Sequence, residues 1–191
     1  MAVDRKQSIL EAATRSFSLF GYKATTMDQV AKIANVGKGT IYTFFHNKEE
    51  LFNEIIDSLI EEMKLVAKEA IDPERSFADN LHQALYRLLE FRKKHQLTFQ
   101  LSLEMKEVGT PEAVEAMGKL EKVVLSFVEK QVQAAIEKDE IRKCDPQVTA
   151  FILVKTYIAL VHDWEKEHDS LSEKEIAELF ELYFLKGLEK K

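Results

Sequence analysis

Residues 26–51, TMDQVAKIANVGKGTIYTFFHNKEEL, decide how this chain folds. Thr26 followed three residues later by Gln29 is a capping-box start for a helix. Met27, Val30, Ala31 and Ala34 then recur at helical spacing and make one apolar face. Asn35-Val36-Gly37 breaks that pattern where a helix-turn-helix needs its turn. A second helix is predicted over about residues 38–45, with Ile41, Phe44 and Phe45 on its inner side. Its opposite side carries Gly39 and Thr43, flanked by Thr40 and Tyr42. Such a side is small and hydrogen-bonding, as a helix lying in a DNA major groove requires.

The run GKGTIYTFFHNKEEL, with ILEAATRSFSLFGYKATTMDQVAKIANVG before it, resembles the TetR family of bacterial transcription regulators. The resemblance covers about residues 5–60; further along, only the helical pattern and the total length agree with the family. It implies an all-α fold. An N-terminal three-helix helix-turn-helix DNA-binding domain (1–60, the motif itself at about 26–45) is joined by helix 4 to a C-terminal helical ligand-binding and dimerisation domain (61–191), about nine helices in all.

Charge is distributed as such a protein needs. The net value of −6 alone argues against nucleic acid. Residues 1–48, however, hold seven Lys/Arg against three acids, or +4, while the remainder holds 20 against 30, or −10. A basic module on an acidic body suits a chain of which only one end meets phosphate. The absence of an apolar run of about 18 residues excludes a bilayer span. The charged start MAVDRKQS has no apolar core behind it, which argues against a signal peptide. Cys144 is the single cysteine and has no partner for an internal disulfide, so a cytoplasmic location is expected.

The remaining helices follow from periodicity and punctuation. The first covers about residues 4–20, with Ile9, Ala13, Phe17 and Phe20 inward and Gly21 ending it. The fourth starts after Asn47, a good N-cap, and runs to about residue 70. Others are predicted at about 76–94, 97–107, 111–138, 146–167 and 172–188, with Pro111 and Pro146 in first turns and Ser172/Glu175 as a second capping box. FILVKTYIALV, residues 151–161, is apolar nearly all round and needs cover on more than one side. Pairing of the last two helices with those of a second copy supplies that cover, through Tyr157, Leu160, Trp164, Ile176, Phe180, Tyr183 and Phe184. A homodimer would hold two recognition helices roughly 34–36 Å or a multiple apart, matching a double-stranded, palindromic operator.

For phosphate the candidates are Thr25, Thr26, Tyr42, His46 and Lys48; for base edges they are Lys38, Gly39, Thr40 and Thr43. Plainer roles stand beside these: a cap for Thr26, a packing ring for Tyr42, a solvated charge for Lys48. The resemblance further implies a small-molecule effector held among helices 4 to 8. Candidate contacts are His82, Tyr86, Phe99, Gln100, Phe127, Tyr157 and His162, with Gln96 and Glu104 as further polar groups that could orient a ligand. The aromatic supply favours a mostly apolar molecule. No cofactor is implied. His162, Asp163, Glu165, His168 and Asp169 look metal-like by composition, but the two histidines do not align on a helix, so no metal is expected. A carboxylate–histidine bundle enzyme needs repeated Glu-x-x-His, and the chain has one, at 165–168. The expected function is a ligand-responsive repressor. The alternatives are a ligand-independent DNA-binding activator and a helical adaptor protein.

Overall fold

The computed structural model describes residues 5–164, 167–185 and 188, with the side chains of Arg92, Lys93, His162 and Leu185 outside that description. The chain is all-α. Nine helices fall among the described residues: α1 (Arg5–Ala24), α2 (Met27–Ile33), α3 (Lys38–Phe44), α4 (Lys48–Glu69), α5 (Phe77–Lys94), α6 (Gln96–Glu107), α7 (Pro111–Glu137), α8 (Pro146–Ile158) and α9 (Glu173–Phe180). α8 and α9 each loosen into a π-helical turn, Ala159–Asp163 and Glu181–Leu185. None of these helices is long and apolar enough to cross a membrane.

The chain forms two compact units that are not contiguous in sequence. The first is Met1–Met63 with Phe91–Leu120; the second is Lys64–Glu90 with Glu121–Lys191. The unit that contains the helix-turn-helix therefore also contains α6 and the first turns of α7.

In the first unit the helix starts are set by local chemistry. Thr26 caps α2 as predicted: its hydroxyl accepts the Gln29 N–H, and the Gln29 side chain accepts the Thr26 N–H in return. Asn47 Oδ1 accepts the Glu50 N–H at 2.8 Å at the head of α4. Ile9, Ala13 and Phe17 of α1 are buried with Val30, Ala31, Ile41, Leu51, Phe52 and Ile56. The rings of Phe17, Tyr22 and Phe52 form a mutual cluster, with centroids 4.8–5.9 Å apart.

Two inward assignments fail here. Phe20 is exposed, because the backbone breaks at the next residue, Gly21 (φ 77°, ψ 177°), before a last helical turn to Ala24. Phe44 is also exposed. α3 stops there, and Phe45 swings inward on extended backbone, so that Phe45 and Ile41 carry the packing.

The second unit is built around a core of Leu81, Leu85, Val128, Val132, Leu153, Tyr157 and Phe180. Asp145 caps α8, accepting from the Gln147 and Val148 N–H groups, with Pro146 in the first turn. Ser172 and Glu175 form the expected capping box at α9. α8 buries Ala150, Leu153, Val154 and Tyr157 and leaves Val148 (54%), Phe151 (51%) and Ile152 (44%) facing outward.

Candidate nucleic-acid interface

The turn between α2 and α3 is closed by the Val36 N–H on the Ala31 carbonyl at 3.0 Å. Its left-handed residue is Asn35 (φ 52°); Gly37 is extended and serves as the N-cap of α3. Asparagine is among the few side chains that adopt that conformation at low cost. Ile41 is fully buried beneath α3, which leaves Lys38, Gly39, Tyr42 and Thr43 exposed and Thr40 half-buried on its outer side. The Thr43 hydroxyl donates to the Thr40 carbonyl at 2.6 Å. A Cβ built at Gly39 would meet no atom of the protein within 4 Å.

Acidic neighbours temper the cations of this surface. Lys38 Nζ lies 2.9 Å from Asp28 Oδ2, and that hydrogen bond raises the Lys38 pKa above the usual lysine value. Glu50 accepts both the backbone N–H (2.7 Å) and the ring Nδ1 (2.9 Å) of His46, which holds its carboxyl below the usual glutamate range. Both pairs are exposed to solvent, so water and salt screen them and little holds either cationic partner to its carboxylate.

The phosphate candidates separate into outward and inward groups. Thr26 and Tyr42 face solvent. Thr25 does not: it has no exposed surface, and its hydroxyl donates to the Gly21 carbonyl at 2.8 Å and meets Ser16 Oγ at 3.1 Å. Its side chain is a core tie, because the break at Gly21 turns it under α1. Lys48 is engaged within the fold as well. Its ammonium donates to the carbonyls of Tyr22 (2.8 Å) and Thr25 (3.0 Å) and lies over the Tyr22 ring at 4.1 Å. Burial pushes its pKa below the usual lysine value, against the pull of Glu112 and Glu104. Lys48 is thus a structural tie for the turn before α2 rather than a free surface cation.

That turn is held from a further side which periodicity did not reveal. Glu104 of α6 is buried, and its carboxylate accepts the Tyr22 N–H at 2.6 Å and the Lys23 N–H at 2.9 Å. A side chain at Gly21 would run into this carboxylate, and the ψ of 177° at positive φ is itself a conformation for glycine. The Tyr22 phenol is pushed up to about 12, first by burial and next by Glu112, to which it is hydrogen-bonded. Glu104 had stood among the polar groups for a ligand; the structure points it at the helix-turn-helix instead.

Residues 9–55 match the family described as bacterial regulatory proteins, tetR family. Residues 74–188 match the tetracyclin repressor-like C-terminal domain. The HTH-type transcriptional regulator YhgD of Bacillus subtilis is 55% identical over 188 residues, covering 98% of each chain. This chain belongs to the TetR family. It is therefore a DNA-binding transcriptional regulator, of a family that is not enzymatic. Two solved structures agree in fold. SmeT, the repressor of the Stenotrophomonas maltophilia multidrug efflux pump SmeDEF, is similar at TM-score 0.70 and 19% identity, covering 97% of this chain and 91% of that one. The fatty acid degradation regulator FadR of Bacillus halodurans is similar at TM-score 0.69 and 17% identity, covering 94% and 95%.

The ligand candidates of this TetR-family chain divide between the units. Phe99, exposed, and Gln100 belong to the first; His82, Tyr86, Phe127 and Tyr157 belong to the second. Within the second unit, His82 lies 6.2 Å from the Tyr86 ring and 6.1 Å from the Tyr157 ring, with Tyr157 OH and His82 Nδ1 at 3.5 Å. Glu173 of α9 closes the group, 3.7 Å from His82 Nε2. Phe127 packs against the core nearby in that unit. The His162 side chain lies outside the described residues, as does Glu165.

The dimer candidates also divide. Tyr157, Ile176 and Phe180 are buried in the core of the second unit itself, Tyr157 and Phe180 ring against ring at 5.0 Å. Leu160 and Phe184 pack partly onto that core. Trp164 and Tyr183 do face outward, joined by Phe151, Ile152 and Leu182, which the pattern had not singled out for this role. α8 is apolar nearly all round, so its inner side could not be told from its outer. Among the described residues no cluster of three or more potential ligands could hold a metal.

Proposed function

We propose that this chain is a homodimeric repressor that reads a palindromic operator and is released from it by a small, mostly apolar effector. Residues 1–60 carry the reading surface and residues 61–191 carry effector binding and dimerisation. The observation on which the reading rests is the outer side of α3: Gly39, Thr40, Tyr42 and Thr43 are displayed opposite a fully buried Ile41. Thr40 and Thr43 offer hydroxyls and methyls to base edges, Lys38 offers a donor to guanine, and Gly39 permits close approach. Thr26, Tyr42 and His46 supply the phosphate contacts.

Dimerisation follows from the apolar outer stripe of α8, Val148-Phe151-Ile152, together with Leu182 and Tyr183 beyond α9. Such a stripe on an otherwise charged chain is what a second copy covers. The His82–Tyr86–Tyr157 group provides the polar end of an effector site in the second unit. A complex of the fold relative SmeT with triclosan, itself at TM-score 0.72, supports the apolar class of effector. A cytoplasmic location belongs to the same reading.

The test is selection of random duplexes by the purified protein, then a search for compounds that release the selected site. An inverted repeat with half-sites about one helical turn or a multiple apart is expected. Enrichment of unsymmetrical sites would remove the dimer geometry, and no enrichment would remove the reading.

A further inference from the structure

We propose that Glu104 is a positioning residue for DNA binding, acting from α6 by holding the backbone that leads into α2. This rests on the reading that places Thr26 and α3 at the operator.

Four observations within the first unit carry it. Both carboxylate oxygens are engaged, Oε2 by the Tyr22 N–H at 2.6 Å and Oε1 by the Lys23 N–H at 2.9 Å. The group is buried, so no solvent replaces those acceptors readily. Gly21 leaves the space that the carboxylate occupies, and any side chain there would meet it. Lys48 holds the carbonyl of one of the same peptides, Tyr22–Lys23, and further along that of Thr25, so the turn is gripped by N–H groups from α6 and by C=O groups from α4.

The turn so gripped ends at Thr26, the first residue of the reading surface. Two successive N–H groups bound by one carboxylate fix the orientation of their peptide planes. That orientation sets where the capping Thr26 and the start of α2 stand. Removing the carboxylate altogether leaves the Tyr22 and Lys23 N–H groups without their acceptor, and a glutamine in its place offers one accepting oxygen to two donors. The segment then relaxes toward solvent, and the phosphate contacts of α2 lose their common placement. The outer side of α3 stays as it is, because Ile41 and Phe45 hold it from a different side.

Affinity should therefore fall without a change in base preference. Full-length Glu104→Gln and Glu104→Ala proteins are compared with the unaltered chain on its selected duplex, by fluorescence anisotropy over a salt series. The temperature is chosen so that circular dichroism shows all three fully folded. The expected result is weaker binding, about tenfold for Glu104→Gln and up to about a hundredfold for Glu104→Ala, with a flatter dependence on salt and the same ranking of operator variants. A residue that merely stabilises the fold would leave affinity and salt slope unchanged among fully folded proteins, and that outcome overturns the proposal. If Glu104→Ala does not fold, Glu104→Gln decides. Amide exchange in the unaltered chain gives an independent reading: protected Tyr22 and Lys23 N–H groups support the grip, and fast exchange there overturns it. Folded variants that bind like the unaltered chain overturn the role of Glu104 alone; an unaltered chain that selects no duplex overturns the DNA reading with it.

Discussion

Replacing Gly39 by alanine should make the protein more stable and a poorer DNA binder. Gly39 is the second residue of α3, in helical backbone, and a Cβ there meets nothing within 4 Å. No packing or backbone requirement inside the chain calls for glycine. A helix-interior glycine costs up to about 1 kcal/mol against alanine, and its place in the first turn brings that to about 0.5 kcal/mol. For a chain of this size the melting temperature should rise by about 1–2 °C. Against DNA the sign reverses. The open space over Gly39 is the space a base edge or sugar-phosphate would fill, and a methyl group there holds α3 off the groove. Loss of one close approach with its neighbouring contacts should weaken binding about tenfold or more, near 1.4 kcal/mol. Thermal unfolding by circular dichroism reads the first effect; anisotropy titration of the selected operator at fixed salt reads the second. An alanine protein that binds as tightly as the original would refute the argument that DNA is what the glycine serves. A lower melting temperature would refute the claim that the space is open.

Asp28→Asn should free Lys38 and remove a negative charge beside the reading surface. Operator binding should tighten severalfold at low salt, less so at high salt, while α2 loses about 0.3–1 kcal/mol of favourable charge at its N-terminus; unchanged or weaker binding would count against the 2.9 Å pairing as a brake. Phe151→Glu, placed in the outward stripe of α8, should raise the dimer dissociation constant by about 30-fold, near 2 kcal/mol, with helix content retained; sedimentation equilibrium showing an intact dimer would move the interface elsewhere. His82 is half-buried, and burial pushes its pKa below the usual histidine value, against the pull of Glu173 and Asp79. The unfolded chain therefore takes up that proton first. The stability associated with neutral His82 is full above about pH 6.5 and is lost as pH falls through that value toward the folded pKa. His82→Gln should flatten the decline in urea midpoint between about pH 7 and 5, and parallel curves for the two proteins would exclude His82 as its source.

What could be read in advance was what the chain encodes within one helical turn. The capping boxes at Thr26/Gln29 and Ser172/Glu175, the Asn47 cap and the burial of Ile41 are signals three or four residues long, and each stands in the structure. Two adjacent threonines show the limit. Thr26 follows the capping pattern outward, whereas Thr25 is turned inward by Gly21 and Ser16, residues four and nine positions away on another element. α8 shows a different limit, since a helix apolar nearly all round carries little direction, and Tyr157 proved to be core while Phe151 and Ile152 proved to be surface. Glu104 and Tyr22 are 82 positions apart, and no periodicity connects them. Lys48 was legible as a cation near the reading surface, but not as one whose charge is used within the fold.

The discontinuity of the first unit bears on how regulators of this kind can be recombined. A chimera that moved only the first 63 residues onto a foreign body would leave behind Glu104 and Glu112, and with them the acceptors for Tyr22 and Lys23. A transplant that also brings residues 91–120 keeps them. New specificity would be exchanged most safely by altering the outer side of α3 in place, leaving the joints beneath it untouched.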